Sequence, residues 1–200
     1  VHLSSKGVKQ AQDLAVRLGA FQVAQMRVSP MERCSETIQP WINDYVLKAN
    51  PSFKPAIEDA VNEVDYGTWS GKKLSALSRK SEWKTVQESP SRMYFPNGEG
   101  IAAMQARAMK TVHELAQLPS NKVAVIVSHG DVIKSIVASA LGLHLDEFQR
   151  IIIDPASVSV IDYSTIKPRI LLLNDTRAVV TDLLSAPKRS RNLLGGGSGK

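Results

Sequence analysis

Apolar residues recur at helical spacing in "LSSKGVKQAQDLAVRLGAF", at Val8, Ala11, Leu14, Ala15 and Leu18, which predicts an amphipathic helix capped by Ser4 or Ser5. "VAQMRVSP" then reads as a short strand stopped by Pro30, and "ERCSETIQPWINDYVLKA" returns to helical periodicity with a kink or break at Pro40. From Asn50 to Gly98 the chain is rich in Pro, Ser, Lys and aromatic residues, with short helical pieces around Leu74 to Leu77 and Glu82 to Glu88. So long an irregular stretch usually shapes a site. "GEGIAAMQARAMKTVHELAQL" is a strong helix whose inner face carries Ile101, Met104, Ala108, Val112 and Leu115, leaving His113 on the surface. "KVAVIVS" is the clearest strand, taken as buried, and "DVIKSIVASALGL" the helix after it; His144 opens a short helix, "LDEFQR", in a structural role. "IIIDPASVSVIDYS" and "RILLLND" supply two or three final strands, the alternation in "ASVSVIDY" being that of a half-buried strand. This succession of strands and helices predicts a three-layer α/β sandwich around a mixed sheet.

Composition narrows the picture. The 200 residues, 43% hydrophobic and 22% charged, suit one soluble domain with a sizeable core. The longest apolar runs are strand-length and no secretory leader opens the chain, so no membrane association and a cytoplasmic location are expected. Cys34 is the single cysteine, which excludes an internal disulfide and a Cys-rich zinc site. The net charge of +6 forms no dense basic stripe, so nucleic acid is not an expected partner. Part of the excess, Lys188, Arg189, Arg191 and Lys200, lies in "APKRSRNLLGGGSGK"; the domain is accordingly drawn over residues 1–185 and a flexible basic tail over 186–200.

Chemistry gathers at three places. Arg33 lies in the first turn of the helix after "VSP", where its planar donor fork suits phosphate oxygens, although an exposed arginine is an ordinary occupant of a first turn. In "NEVDYGTWSG", Glu63 and Asp65 stand among Tyr66 and Trp69, and a carboxyl in apolar surroundings can hold a proton to donate; a solvated loop acid is the alternative. His129 ends the "VAVIVS" strand, either as a hydrogen-bonded core histidine or as one facing an anion at the start of the next helix.

Taken in order, Ser-Pro-x-x-Arg-x-x-x-Thr, Glu-x-x-Tyr-Gly-x-Trp-x-Gly and Ser-His-Gly-Asp resemble the histidine phosphatase (phosphoglycerate mutase-like) superfamily over Leu3 to about Asp175. "YFPNGEGIAAMQARA", "SHGDVIKSIVASALGLHLDEFQRI" and "DPASVSVIDY" look most like a bacterial branch described as probable phosphoglycerate mutase-like phosphomutases. The resemblance implies a three-layer α/β/α sandwich with a mixed, mostly parallel sheet. It implies phosphoryl transfer through a phosphohistidine, by a phosphomonoester hydrolase or a phosphoglycerate mutase-like phosphomutase, without metal or other cofactor. By the same resemblance Arg33 and His129 bind the transferring phosphoryl group, His129 as the non-nucleophilic histidine, and Glu63 is the general acid, with Asp65 as its substitute. The expected partner is a small phosphorylated metabolite, whose further acidic group Arg79, Lys80, Lys84 and Arg92 could meet unless they form an ordinary solvated loop.

One departure stands out. The family's nucleophile lies in a Leu-x-Arg-His-Gly motif on a first strand, and this sequence has no Arg-His-Gly; His2 lacks both neighbours and is no substitute. The expectation is therefore that the first strand and its motif precede Val1, and that residues 1–200 alone lack the nucleophile and are inactive. The alternative is a phosphate-binding protein of the same fold that does no chemistry.

Overall fold

The structure, a computed structural model, describes residues 2–177 and 179–181, so the tail drawn over 186–200 lies outside the described residues. The first helix, α1 (Ser5–Leu18), has Ser4 as its cap, with the Ser4 hydroxyl accepting the Gly7 amide. Ala11, Leu14, Ala15 and Leu18 form its buried face; Val8, predicted to share it, is 47% exposed and lines an open cleft with Glu36, Gln39 and Pro40. Strand β1 (Val23–Val28) leads into α2 (Glu32–Trp41). Pro40 does not stop α2, which ends one residue later and widens into a π-turn over Ile42–Val46 before the short α3 (Leu47–Ala49). Proline removes one helical amide and crowds the carbonyl a turn earlier, here that of Glu36, on the side of Pro40 away from the π-turn.

The irregular stretch holds β2 (Ala56–Ile57), 3₁₀ turns at Asp59–Val61 and Gly67–Trp69, α4 (Leu74–Leu77) and α5 (Ser81–Glu88). Then come α6 (Ile101–Leu115), β3 (Val123–Val127), α7 (Gly130–Leu141), a 3₁₀ segment over Leu145–Arg150, β4 (Val158–Asp162) and β5 (Arg169–Asp175). All five residues predicted for the inner face of α6 are buried, and His113 is exposed. His144 caps the 3₁₀ segment by accepting the Asp146 amide, a structural role as expected.

Three strands run parallel in the order β2, β1, β3, with Val28 paired to Ile57 on one side and to Val127 on the other. The strands lie between two apolar layers. Met26, Val28, Val125 and Val127 pack with α1 and α2; Ile126 packs on the opposite side with α6 and α7. The mixed α/β sandwich is thus present, but its strands fall into two groups, since β4 pairs antiparallel with β5 alone. Among the described residues no strand pairs with the other edge of β3, which is why its residues are half-buried and not buried as expected. The alternation in β4 also differs from core-versus-solvent: Val158 packs on the α1/α2 layer and Ile161 on the α6/α7 layer.

Arg17 ties α1 to the antiparallel pair, donating to the carbonyls of Ala156 at 3.2 Å and Asp175 at 2.7 Å. The consequence for function is one of register. The carboxyl ends of three adjacent parallel strands come level, and the chain leaving each carries one of the residues singled out above: Arg33 after β1, Glu63 after β2, His129 after β3.

Candidate active site

Arg33, Glu63 and His129 meet. The Arg33 Nη2 lies 2.8 Å from His129 Nδ1, and the Glu63 Oε2 lies 3.9 Å from that nitrogen of Arg33 and 3.8 Å from His129 Nδ1. A guanidinium only donates, so Nδ1 accepts and the proton of the neutral ring is on Nε2. From there Nε2–H donates to the Ser29 hydroxyl at 2.7 Å, which in turn donates to the Asn62 Oδ1 at 3.2 Å. Ser29 is fully buried at the end of β1, and the Met31 amide donates to the same hydroxyl oxygen. The Cys34 sulfur closes the other side of the ring, 3.6 Å from Nε2.

Burial, and then the positive charges of Arg33 and Arg107, pull the His129 imidazole down to about 4. Burial, and then the negative charge of Asp131, push the Glu63 carboxyl up to about 7, against the pull of the Val64 amide and the same two arginines. Close as they are, Glu63 and His129 therefore form no ion pair at neutral pH: the ring is neutral, and the carboxyl holds its proton to far higher pH than an ordinary glutamate. Asp131, in the first turn of α7, accepts the Tyr66 hydroxyl at 2.9 Å and faces Lys134 at 3.4 Å. Burial raises the Tyr66 hydroxyl first, with Asp131 adding to it, so the phenol stays protonated and keeps donating.

Two glycines shape the loop that carries Glu63. A Cβ on Gly67 (φ +51) would stand 2.2 Å from the Pro96 carbonyl, and one on Gly98 would stand 2.3 Å from that of Asp65. The two turns thus touch backbone to backbone, an approach that side chains forbid. Gly71, by contrast, has φ +74 with nothing within 4 Å. Gly71→Ala is expected to cost about 1–2 kcal/mol from backbone strain alone, and Gly67→Ala about 2 kcal/mol more from overlap. Equal shifts in thermal midpoint for the two would contradict this packing.

Other expected residues fall elsewhere. Asp65 is exposed and its carboxylate accepts the Gly67 amide at 2.8 Å, so it caps the turn while Glu63 faces the imidazole. Arg79, Lys80, Lys84 and Arg92 are all exposed, with Lys84 beside Glu88 at 3.7 Å. His2 is exposed and held by Glu36 and Glu32 on α2. Sequence reading overlooked Ser29, Asn62, Asp131 and Arg107. All four stand inside quoted stretches, but the partners of Asn62 and Arg107 are set by a loop path that no periodicity encodes. Among the described residues no group of three or more His, Cys, Asp or Glu side chains is placed to hold a metal ion, and no helix is long and apolar enough to cross a membrane.

Comparison with known proteins bears on this geometry. The sequence model of the histidine phosphatase superfamily (branch 1) matches residues 1–176. Phosphoserine phosphatase 1 of Hydrogenobacter thermophilus is 28% identical over 176 residues, 87% of this chain and 81% of that protein. An Erwinia tasmaniensis protein named "Probable phosphoglycerate mutase GpmB" is 24% identical over 163 residues, 80% of this chain and 73% of its own. Among solved structures, a phosphoserine phosphatase mutant of Entamoeba histolytica in complex with phosphoserine superimposes with a TM-score of 0.75 at 21% identity, covering 88% of this chain and 85% of that one.

Proposed function

We propose, from the premise that this chain belongs to the histidine phosphatase superfamily, that it takes part in phosphoryl transfer through a phosphohistidine, as a phosphomonoester hydrolase or a phosphoglycerate mutase-like phosphomutase. The observation that carries the reading is the convergence of Arg33, Glu63 and His129 within 4 Å of one another from the ends of three parallel strands. Arg33 supplies paired donors for two phosphoryl oxygens. Once a dianion lies against it, part of the positive charge that disfavours a protonated His129 ring is offset; the ring takes up a proton on Nδ1 and donates it to a third oxygen, while Nε2–H keeps its bond to the Ser29 hydroxyl. Attack by an imidazole nitrogen forms the phosphorus–nitrogen bond as the ester phosphorus–oxygen bond breaks, and Glu63 gives its proton to the departing oxygen. In the second displacement the ionised Glu63 takes that proton back from water, for a hydrolase, or from an acceptor hydroxyl, for a mutase.

No attacking imidazole is assigned to a residue of this chain: it has no Arg-His-Gly, and His2, His113 and His144 are all exposed. The substrate on this reading is a small phosphorylated metabolite, and the relatives whose names mention phosphoserine and phosphoglycerate support that size class. The lone free thiol, Cys34, suits a reducing, cytoplasmic setting.

The decisive assay is p-nitrophenyl phosphate turnover by the full-length protein, with rapid acid-free quenching to capture the phosphoprotein. Turnover with an acid-labile, base-stable phosphoprotein is the expected result. Inorganic phosphate binding without either signal would instead establish the non-catalytic alternative.

A further inference from the structure

Arg107 is a half-buried residue of α6 whose charge acts on His129 and Glu63 but which has no place in the bond-making steps above. The Glu99 carboxylate, just ahead of that helix, grips its Nε at 2.7 Å and its Nη2 at 2.8 Å, a two-pronged pairing that fixes the plane of the guanidinium. The hydrogens left over point into the turn after β2. Nη1 donates to the carbonyls of Ala60 at 2.7 Å and Asn62 at 2.9 Å, and Nη2 donates to that of Glu63 at 3.2 Å. Three carbonyls so close in sequence can converge on one group only if the backbone curls round it. The 3₁₀ turn over Asp59–Val61 begins that curl with its own hydrogen bonds, and the Ser128 hydroxyl holds the Val61 carbonyl at 2.6 Å; the guanidinium is the partner of the carbonyls on either side, those of Ala60, Asn62 and Glu63.

Its reach extends to the site because the same residues turn their other side toward His129. The Asn62 side chain accepts the Ser29 hydroxyl and the Glu63 amide, so the turn ends one hydrogen bond from the group that orients the imidazole. Glu63 presents its carboxyl to Arg33 and His129 from the next position. We propose that Arg107 is the positioning residue of this site: clamped by Glu99, it sets the 59–63 turn so that the Glu63 carboxyl and the Asn62–Ser29–His129 chain face one bound phosphoryl group. A lysine brings the charge but not the fork and reaches fewer of these carbonyls.

The inference rests on the phosphoryl-transfer reading, and its test separates the two. In the full-length protein, Arg107→Lys, Arg107→Ala and Glu99→Gln are compared with wild type for kcat and KM on p-nitrophenyl phosphate, inorganic phosphate affinity and thermal midpoint. The expected result is a fall in kcat of about 100-fold for Arg107→Ala, smaller falls for the other two, phosphate affinity nearly unchanged, and partial recovery of Arg107→Ala by added guanidinium ion. An unchanged kcat overturns the proposal, as does a loss that follows only the unfolded fraction and resists guanidinium. If wild type itself turns over no ester, the functional reading fails and a second measurement decides this one. The Glu63 carboxyl carbon is followed by NMR against pH in Arg107→Lys, which keeps the positive charge acting on that carboxyl but not the fork; its midpoint is expected to leave the wild-type value, and an unmoved midpoint overturns the assignment.

Discussion

Arg33→Ala is expected to lower kcat/KM for p-nitrophenyl phosphate by about 10³-fold or more in the full-length protein, and His129→Ala by a similar factor. On the proposed reading both side chains face the phosphoryl oxygens over which charge spreads, beside an imidazole that is 5% exposed and a half-buried Glu63. Such a setting shields a donor–anion contact from water and strengthens it. Arg33→Lys is expected to recover only part of the loss, because an ammonium cannot present two coplanar donors at once. The two residues are also coupled directly, through the 2.8 Å contact between Nη2 and Nδ1. Removing the guanidinium takes away a charge that holds the imidazole near 4, so His129 in Arg33→Ala is expected to protonate at higher pH than in wild type. Independent, additive effects of the two substitutions in a double-mutant cycle would show that they do not share a ligand.

Glu63→Gln carries the second large expectation, and it has a kinetic and a thermodynamic half. A proton donor matters most when the departing oxygen is a poor leaving group. The loss is therefore expected to reach about 10³-fold for an alkyl phosphate and only about 10-fold for p-nitrophenyl phosphate. For stability, the folded state raises the carboxyl from its ordinary 4.5 to about 7, so between those values the folded protein binds the proton more tightly than the unfolded chain does. Stability then falls as pH rises through that window, by about 3 kcal/mol once the carboxyl is fully ionised. Glutamine keeps the shape and the carbonyl that accepts the Val64 amide but has no such cost. Relative to wild type, Glu63→Gln is expected to gain about 3 kcal/mol at pH 8 and nothing below pH 4.5. His129 works in the opposite sense: lowered from 6.5 to about 4, it favours the folded state above 6.5 and withdraws that support as pH falls through 4. In wild type the two slopes oppose each other across the acidic range, and the variant exposes the histidine slope alone. Denaturant melts at three pH values measure this, and an identical pH dependence in wild type and Glu63→Gln contradicts a buried, raised carboxyl.

Much of this architecture is visible in the order of residues because most helices and strands obey a single period. The α6 stripe from Ile101 to Leu115 and the short helices at Leu74–Leu77 and Ser81–Glu88 follow from spacing alone. At Pro40 the helix does not break but passes one residue later into a π-turn, a choice that spacing does not encode. The strand alternation in β4 misleads. Period two shows that neighbours point to opposite faces, not that one face is wet, and here both faces meet apolar layers. Of the site, the residues with chemistry of their own were legible: an arginine after one strand, an acid among aromatics, a histidine after another. Ser29, Asn62 and Arg107 were not, since each acts by holding a neighbour whose position depends on how an irregular segment curls in three dimensions.

The account stands on one bound anion touching Arg33 and His129 together. Long-range proton–nitrogen NMR of the imidazole rings, recorded on the full-length protein while inorganic phosphate is added, reads that contact directly. The predicted result is a saturable shift of both His129 ring nitrogens, with Nδ1 gaining a proton, and the same additions leaving them unmoved in Arg33→Ala. Phosphate that binds while the His129 signals stay fixed and those of another histidine move would contradict it.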